Sequence, residues 1–556
     1  MKLHYACLCA ASLLCLATSA AEAQAPAWSR ASRIGGSGRD AGEAIAVDAA
    51  GNTYVAGQYN SASITIGTTT LTKLGSGTTN DMFVAKYSPA GAVLWATRLG
   101  GTGDDVASAV TVDGTGNVFV AGTFENSIAV AGTTLTSAGT TDMLLVRLNS
   151  QGVPQWGVRA GGPSNDIQPA ITLDDAGFIW MGGSFQGTAT VTGTSNTLVS
   201  AGGFDQALIK FNATTGAWVR MGREGGTGFD IVRGIVAVGD ALYATGYFSS
   251  PTLSVGGTTL TRRCQQNDGY LIKYTRLLGF TWARSEGASS ATTYANYAIA
   301  ASADGSVVTA GEFQGTIVVG GFTTIANNGA NPGPMTVRYT ASGSVTGGLD
   351  GSSSGQSFGR ATGAVRDGAG NTYITGYFRG NMQWSSTTIS SAGNNDVFVV
   401  KIPASGNVEW VAKAGGSDND LALDLALDDA GNCYLTGYFN ASAPFGALTT
   451  LTSAGQTDAF VARLGGTVTS TRAARAATPL EAWPNPVAAG RTLHLTLPAA
   501  RGTTTLRLLD VVGRVVHEQA IPASAVLTLP TTLAPGRYTA EVQTSEMLLR
   551  RALLVQ

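Results

Sequence analysis

The sequence predicts an all-β chain, a ring of repeated antiparallel sheets followed by a second, smaller β domain, and three observations predict it. The composition is turn-rich and core-capable: 74 glycines in 556 residues, 13% charged residues and 44% hydrophobic ones, which disfavours both long surface helices and disorder. A paired-glycine marker or its decayed equivalent recurs at Gly35, Gly100, Gly161, Gly225, Gly287, Gly351 and Gly415, at spacings of 61 to 65 residues. A second marker, a small residue then glycine, falls at Gly57, Gly122, Gly182, Gly246, Gly311, Gly376 and Gly437 in the same register. A repeat of this period outranks any local reading.

Each unit opens on an alternating run such as "EAIAVD" (43–48), turns at "DAAGN" (48–52) and continues as "TYVAGQY" (53–59). In that turn Asp binds its own backbone two residues on and Gly supplies a positive φ, the chemistry of a tight hairpin. The device returns at 113–117, 367–371 and 428–432. A Gly/Thr/Ser-rich insert follows, expected as an extra small hairpin or loop, and the unit closes with "DMFVAKYS" (81–88) and "GAVLWATR" (91–98). Four strands and an insert per unit are therefore expected.

One four-stranded sheet cannot bury both faces, whereas seven arranged radially cover one another. The expected architecture is a seven-bladed β-propeller over residues 26–466. The recurring aromatic after the second strand (Tyr59, Phe124, Phe185, Phe248, Phe313, Phe378, Phe439) is expected to pack between neighbouring blades rather than stack on a ligand. The seventh unit stops near Gly466 without a Trp-bearing last strand, while "PAWSRASR" (26–33) at the other end has that strand's texture. The N-terminal strand is expected to complete the last blade and remove an exposed sheet edge.

These units resemble bacterial seven-bladed β-propeller repeats marked by "GG…D…AVDxxGNxYVxG" and "DxFVxKY", over nearly the whole mature chain. The resemblance implies an extracytoplasmic location and no common activity. The fifth unit departs from it, lacking the paired glycine, the Asp and the Trp (286–297, 342–350).

Residues 467–480 read as a Thr/Ala/Arg-rich linker. From 481 to 556, alternating runs between Pro/Gly turns predict a small β-sandwich of Ig-like type. That segment closely resembles the type A C-terminal sorting domain of the type IX secretion system. The matching positions are Trp483, Pro484, Asn485 and Pro486 at its entry, Asp510 and Gly513 in "DVVGR", and Pro535, Gly536 and Tyr538; Trp483 stands where Tyr or Phe is commoner. The resemblance implies export across the inner membrane, folding in the periplasm, outer-membrane passage, and removal of the domain by a sortase-like surface peptidase. The type IX machinery and that peptidase are the implied partners, and the product is released or attached at the outer cell surface.

Residues 1–25 carry a lysine, an apolar run too short to span a bilayer, and Ala-x-Ala choices, and read as a cleaved signal peptide. No other stretch is apolar enough to cross a membrane. Cys264 and Cys433 are the cysteines left after it. They fall in dissimilar positions three units apart, so no disulfide is expected: Cys433 reads as a buried strand residue and Cys264 as a loop thiol.

The net charge of −2 excludes broad attraction to nucleic acid or anionic lipid. No histidine lies between residues 26 and 466, which removes Ser-His-Asp, Cys-His and His-metal chemistry from the ring. Carboxylates recur instead: Asp40, Asp105, Asp166, Asp230 and Asp420 after the paired glycine, and Asp81, Asp142, Asp205, Asp268, Asp396 and Asp458 before the third strand, the latter followed five residues on by Lys86, Arg147, Lys210, Lys273, Lys401 and Arg463. A residue repeated in nearly every unit serves geometry common to every unit, so turn capping and interblade links are expected. No catalytic, cofactor or metal residue is assigned; if the loop Asp residues hold an ion, calcium is the one they suit.

The expected function is a secreted or cell-surface binding or scaffold module, monomeric and not an enzyme, with a carbohydrate or protein ligand at the channel mouth, where the units differ. The fifth unit and "TRRCQQND" (261–268) are the least symmetric places. The alternatives are a hydrolase or lyase acting on extracellular polysaccharide through Asp/Glu at the channel mouth, and a spacer with no ligand.

Overall fold

The computed structural model describes residues 24–319, 323–327, 329–353, 355–465, 481–496, 504–509, 515–521, 525–543 and 548–556. Apart from Gln24 and Ala25, the signal segment lies outside them, as do the linker 467–480, Asp510 and Gly513. The described secondary structure is all strand and turn, and the chain forms two compact units, Met1–Val468 and Thr469–Gln556.

In the first unit the sequence repeat becomes a four-stranded antiparallel meander. The strands Asp40–Val47, Thr53–Tyr59, Asp81–Tyr87 and Val93–Leu99 pair in that order, and the same order returns for the meanders whose first strands are Val106–Val112, Asp166–Leu173, Asp230–Val238, Thr293–Ala301 and Phe358–Arg366. The inserts form small hairpins, such as Ser63–Ile66 with Thr69–Thr72. First strands of successive meanders pack side by side, and Asp420–Leu427 of the last packs against Asp40–Val47 of the first.

The last meander takes its fourth strand from the opposite end of the chain. Trp28–Ile34 pairs antiparallel with Asp458–Leu464, Trp28 opposite Leu464 and Arg33 opposite Phe460. The sequence marked this strand by its texture, and the pairing bears that reading out.

Turn chemistry accounts for the hairpins. Asp48 accepts hydrogen bonds from the backbone N of Ala50 (3.0 Å) and Asn52 (2.8 Å), from Asn52 Nδ2 (2.8 Å) and from the Tyr54 hydroxyl (2.9 Å). Gly51 sits at φ +77°, a conformation other residues rarely hold. The core lies between meanders. Phe124 packs with Tyr54, Met82 and Leu99 of the preceding meander, and Tyr59 with Ile34, Tyr434 and Val461 of the last. All seven marker aromatics are fully buried, as interblade packing requires.

Cys264 and Cys433 are both free and both buried. Cys264 sits in a loop as expected, but packs among Leu271, Tyr294 and Phe313.

The second unit has two antiparallel sheets, Glu481–Trp483, Thr492–Thr496 and Ala525–Thr528 in one, and Val515–Ile521, Thr504–Leu509, Gly536–Gln543 and Leu548–Val555 in the other. Leu493 and Leu495 of the first share one apolar cluster with Leu506, Ala540, Val542 and Leu553 of the second.

Candidate functional site: the central channel

Every first strand carries a register shift against its neighbour, a β-bulge. The shifts fall between Gly42 and Ala44, Ala107 and Ala109, Ile167 and Ala170, Val232 and Gly234, Asn296 and Ala298, Ala361 and Gly363, and Ala422 and Asp424. A bulge leaves its extra residue without a ladder partner and re-aims its side chain. The extra residues are Glu43, Ser108, Gln168 with Pro169, Arg233, Tyr297, Thr362 and Leu423, and all of them line one cavity of about 340 Å3. The repeat thus points a different side chain into the centre from each first strand. Sequence reading missed this ring, although the second glycine marker signals it. At Gly57, Gly122, Gly246, Gly311, Gly376 and Gly437 a Cβ would stand 1.9 to 2.2 Å from the carbonyl oxygen that the opposing bulge pushes inward. Glycine is required there because backbone approaches too closely for any side chain.

Some ring members serve the ring itself. Ser108 Oγ donates to the carbonyl of Pro169 (2.6 Å) and Thr362 Oγ1 to that of Ala422 (2.8 Å), each in the following meander. Asp424, next to a bulge, accepts from the backbone N of Ile45 (2.9 Å) across the closure.

The others carry charge and aromatic surface. Arg360 makes a two-pronged ion pair with Glu312, both contacts 2.8 Å, and Glu312 also accepts from the Tyr297 hydroxyl (2.9 Å). Arg233 lies against a pair of neighbouring tyrosine rings, its guanidinium carbon 5.6 Å from the centroid of Tyr247 and 5.3 Å from that of Tyr297, which are 6.2 Å from each other. Across the ring, Gln58 Nε2 donates to Glu43 (3.1 Å). Burial pushes the Glu43 carboxyl up to about 7, and burial, opposed by the backbone N–H groups of Ile45 and Leu425, brings Asp424 to about 7. Glu43 also lines a second cavity of about 1040 Å3, walled by Arg39, Asn60, Asn80, Asn419, Tyr438, Asn440 and Gln456. A polar mouth therefore adjoins the central cavity.

The recurring carboxylates are placed as links and caps. Asp40 accepts from Gly36 N (2.7 Å) and Ser61 Oγ (2.7 Å), and Asp142 from Ala138 N (2.8 Å) and Arg159 (2.7 Å). Three of the cations five residues on turn to the hairpin Asp instead: Lys86 reaches Asp48 at 4.0 Å, Lys210 reaches Asp174 at 3.5 Å and Arg463 reaches Asp428 at 3.7 Å, each over an aromatic ring of the second strand. Arg147 and Lys273 donate to the carbonyls of Thr214 and Ala341, and Lys401 pairs with Glu409. Among the described residues no group of three or more His, Cys, Asp or Glu side chains is arranged to hold a metal. The segment 261–268 is folded on itself, with Cys264 N donating to Asp268 (2.7 Å) and Arg262 donating to the carbonyl of Gln266 (2.9 Å).

The carried-over positions at the C-terminus lie in the second unit. Trp483 ends a short strand opposite His494. Pro484 and Asn485 follow it, Asn485 Oδ1 accepting from Leu554 N (2.9 Å) of the last strand. Pro486 leads into Val487, which is buried in the domain's apolar cluster. Pro535 precedes the strand that Gly536 opens, and the Tyr538 hydroxyl donates to the Ala534 carbonyl (2.8 Å). No helix among the described residues is long and apolar enough to cross a membrane.

Comparison with known proteins agrees with the repeat. A family model described as "Beta-propeller repeat" (SBBP) matches residues 94–123, a stretch running through the first-strand bulge at Ser108 to the glycine at 122. The regulatory protein FlaEY of Caulobacter vibrioides is 31% identical over 141 residues, 25% of this chain and 14% of that protein; the chain thus spans a small part of the relative it matches. Among solved structures, a fungal alcohol oxidase of the AA5 family in complex with copper is similar with TM-score 0.39 at 10% identity, covering 96% of this chain and 100% of that one. A protein of unknown function from Dyadobacter fermentans gives 0.34 at 10%, covering 78% and 98%. The chain is an all-β protein carrying a β-propeller repeat.

Proposed function

We propose that residues 26–466 form a seven-bladed β-propeller that binds a ligand in its central channel, and that the protein acts as a secreted or surface-displayed binding module without catalytic turnover. The observation that supports this best is the bulge ring. Scaffold positions repeat from unit to unit, whereas the channel-facing position differs in every one, and a site needs such a departure from symmetry. Export rests on the C-terminal segment, whose entry residues Trp483 to Pro486 and turn residues Pro535, Gly536 and Tyr538 resemble a type IX sorting domain of Ig-like sandwich form.

Turnover is the competing reading, and Glu43, with its carboxyl pushed up to about 7, is the group that would serve as its acid. Screening the mature full chain against extracellular glycans for retention and for released product separates the two. Retention without product is expected; product release would contradict the binding reading, and no retention by any glycan would overturn it. For export, removal of residues 481–556 is expected to leave the protein in the periplasm of its host, and normal release of the truncated chain would refute the sorting role.

A further inference from the structure

The two arginines of the channel are not equivalent. Arg360 is neutralised by Glu312 through two 2.8 Å contacts. Arg233 has no carboxylate within 4.0 Å among the described residues; its polar contact is with the Tyr247 hydroxyl at 3.5 Å, and its buried Nε has no partner. A guanidinium is costly to hold away from water unless something pairs with it, and its planar fork fits a carboxylate in two-pronged fashion. Tyr247 and Tyr297, whose own centroids are 6.2 Å apart, stand together on one side of that guanidinium at 5.6 and 5.3 Å, and Arg233 lines the central cavity, where its fork can meet a ligand.

We infer that the central cavity is a seat for the carboxylate of an acidic sugar, with Arg233 as its anchor. The assignment rests on the channel-binding reading and narrows it to a ligand class. Three observations favour a sugar acid over other carboxylates. Tyr297 and Tyr377 line the cavity and offer aromatic surface against which the apolar side of a pyranose packs. Glu43, which lines both cavities, and Gln58 of the adjoining one, whose buried Oε1 has no partner, supply hydroxyl partners on the opposite side. The adjoining cavity of about 1040 Å3, walled by Asn60, Asn80, Asn419, Asn440 and Gln456, accommodates further sugar units beyond a terminal acid in the 340 Å3 seat.

The test uses calorimetric titration of the mature full chain with digalacturonate and with its methyl ester, which keeps the ring and removes the charge. Saturable binding of the acid, at least tenfold weaker for the ester, is expected. Arg233→Ala is expected to abolish the preference and Arg233→Lys to retain part of it, with far-ultraviolet circular dichroism checking the fold of both. Equal binding of acid and ester overturns the carboxylate seat while leaving a channel lectin standing. Binding of neither overturns the assignment, and the glycan screen then decides whether any channel ligand remains. Arg233-dependent capture of acidic peptides but not uronates overturns the sugar class.

Discussion

Trp28, near the beginning of the described chain, stands edge-on to Phe445 of the last meander, their ring centroids 5.1 Å apart at 84°. Its indole N–H donates to the carbonyl of Lys413 at 3.1 Å, and the side chain is 5% exposed. One residue thus ties the two ends of the ring to each other and to the meander before the last. Trp28→Ala removes a buried aromatic and opens a cavity, and should cost about 3–5 kcal/mol of unfolding free energy. Chemical denaturation of the full chain measures it. Deleting 26–33 should go further and promote association through the freed edge of Asp458–Leu464; a monomeric deletion with unchanged melting would contradict the closure.

The glycine opposite each bulge makes a second prediction. A Cβ at Gly57 would stand 2.1 Å from the Ala41 carbonyl oxygen and 2.8 Å from the Phe83 ring, so Gly57→Ala must displace backbone. A loss of roughly 2–4 kcal/mol is expected, against little effect for Gly114→Ala, where a Cβ meets nothing within 4 Å and the backbone is not in the left-handed region.

Glu312 is nearly buried and held by Arg360. Arg360→Met leaves that carboxylate unpaired and should destabilise by about 2–3 kcal/mol, less than a fully buried pair because the arginine is partly exposed. Adding Glu312→Gln should recover part of the loss, which a double-mutant cycle reads directly.

Buried carboxyls make the protein a pH-dependent structure. Burial, with the nearby charge of Asp81 adding to it against the Gly101 N–H, pushes Asp105 up to about 8; Glu43 and Asp424 stand at about 7. Burial and the neighbouring Asp142 raise Asp166 as well. Each keeps its proton in the folded chain at pH values where the unfolded chain has released it. Their contribution is therefore fully present at about pH 4 and is lost as the pH rises through 7 to 8. Melting temperature should fall across that window, and Asp105→Asn should flatten the fall; a melting temperature rising from pH 5 to 8 would contradict it.

Much of this was legible in the sequence because it repeats. The period, the Asp48-type hairpins, the buried aromatics and the stray strand at Trp28 each rest on a local signal repeated from unit to unit or on its conspicuous absence. The channel ring was not legible for the opposite reason. Glu43, Arg233 and Tyr297 share a position, but their types differ, and only the bulge, a backbone event, turns that position toward the centre. The glycine at 57 and its equivalents recorded the bulge, and read alone they marked only the end of a strand. The partners of the recurring cations were also hidden: Lys210 and Arg463 follow their Asp by five residues, which in a strand places them on opposite faces, and they meet the hairpin Asp instead.

Amide hydrogen exchange over residues 30–34 tests the closed ring most directly. If the N-terminal strand is the fourth strand of the last meander, its ladder amides exchange as slowly as those of 459–464, since both belong to one cooperative sheet. Exchange at the rate of an unstructured peptide, with the rest of the ring protected, would contradict the account.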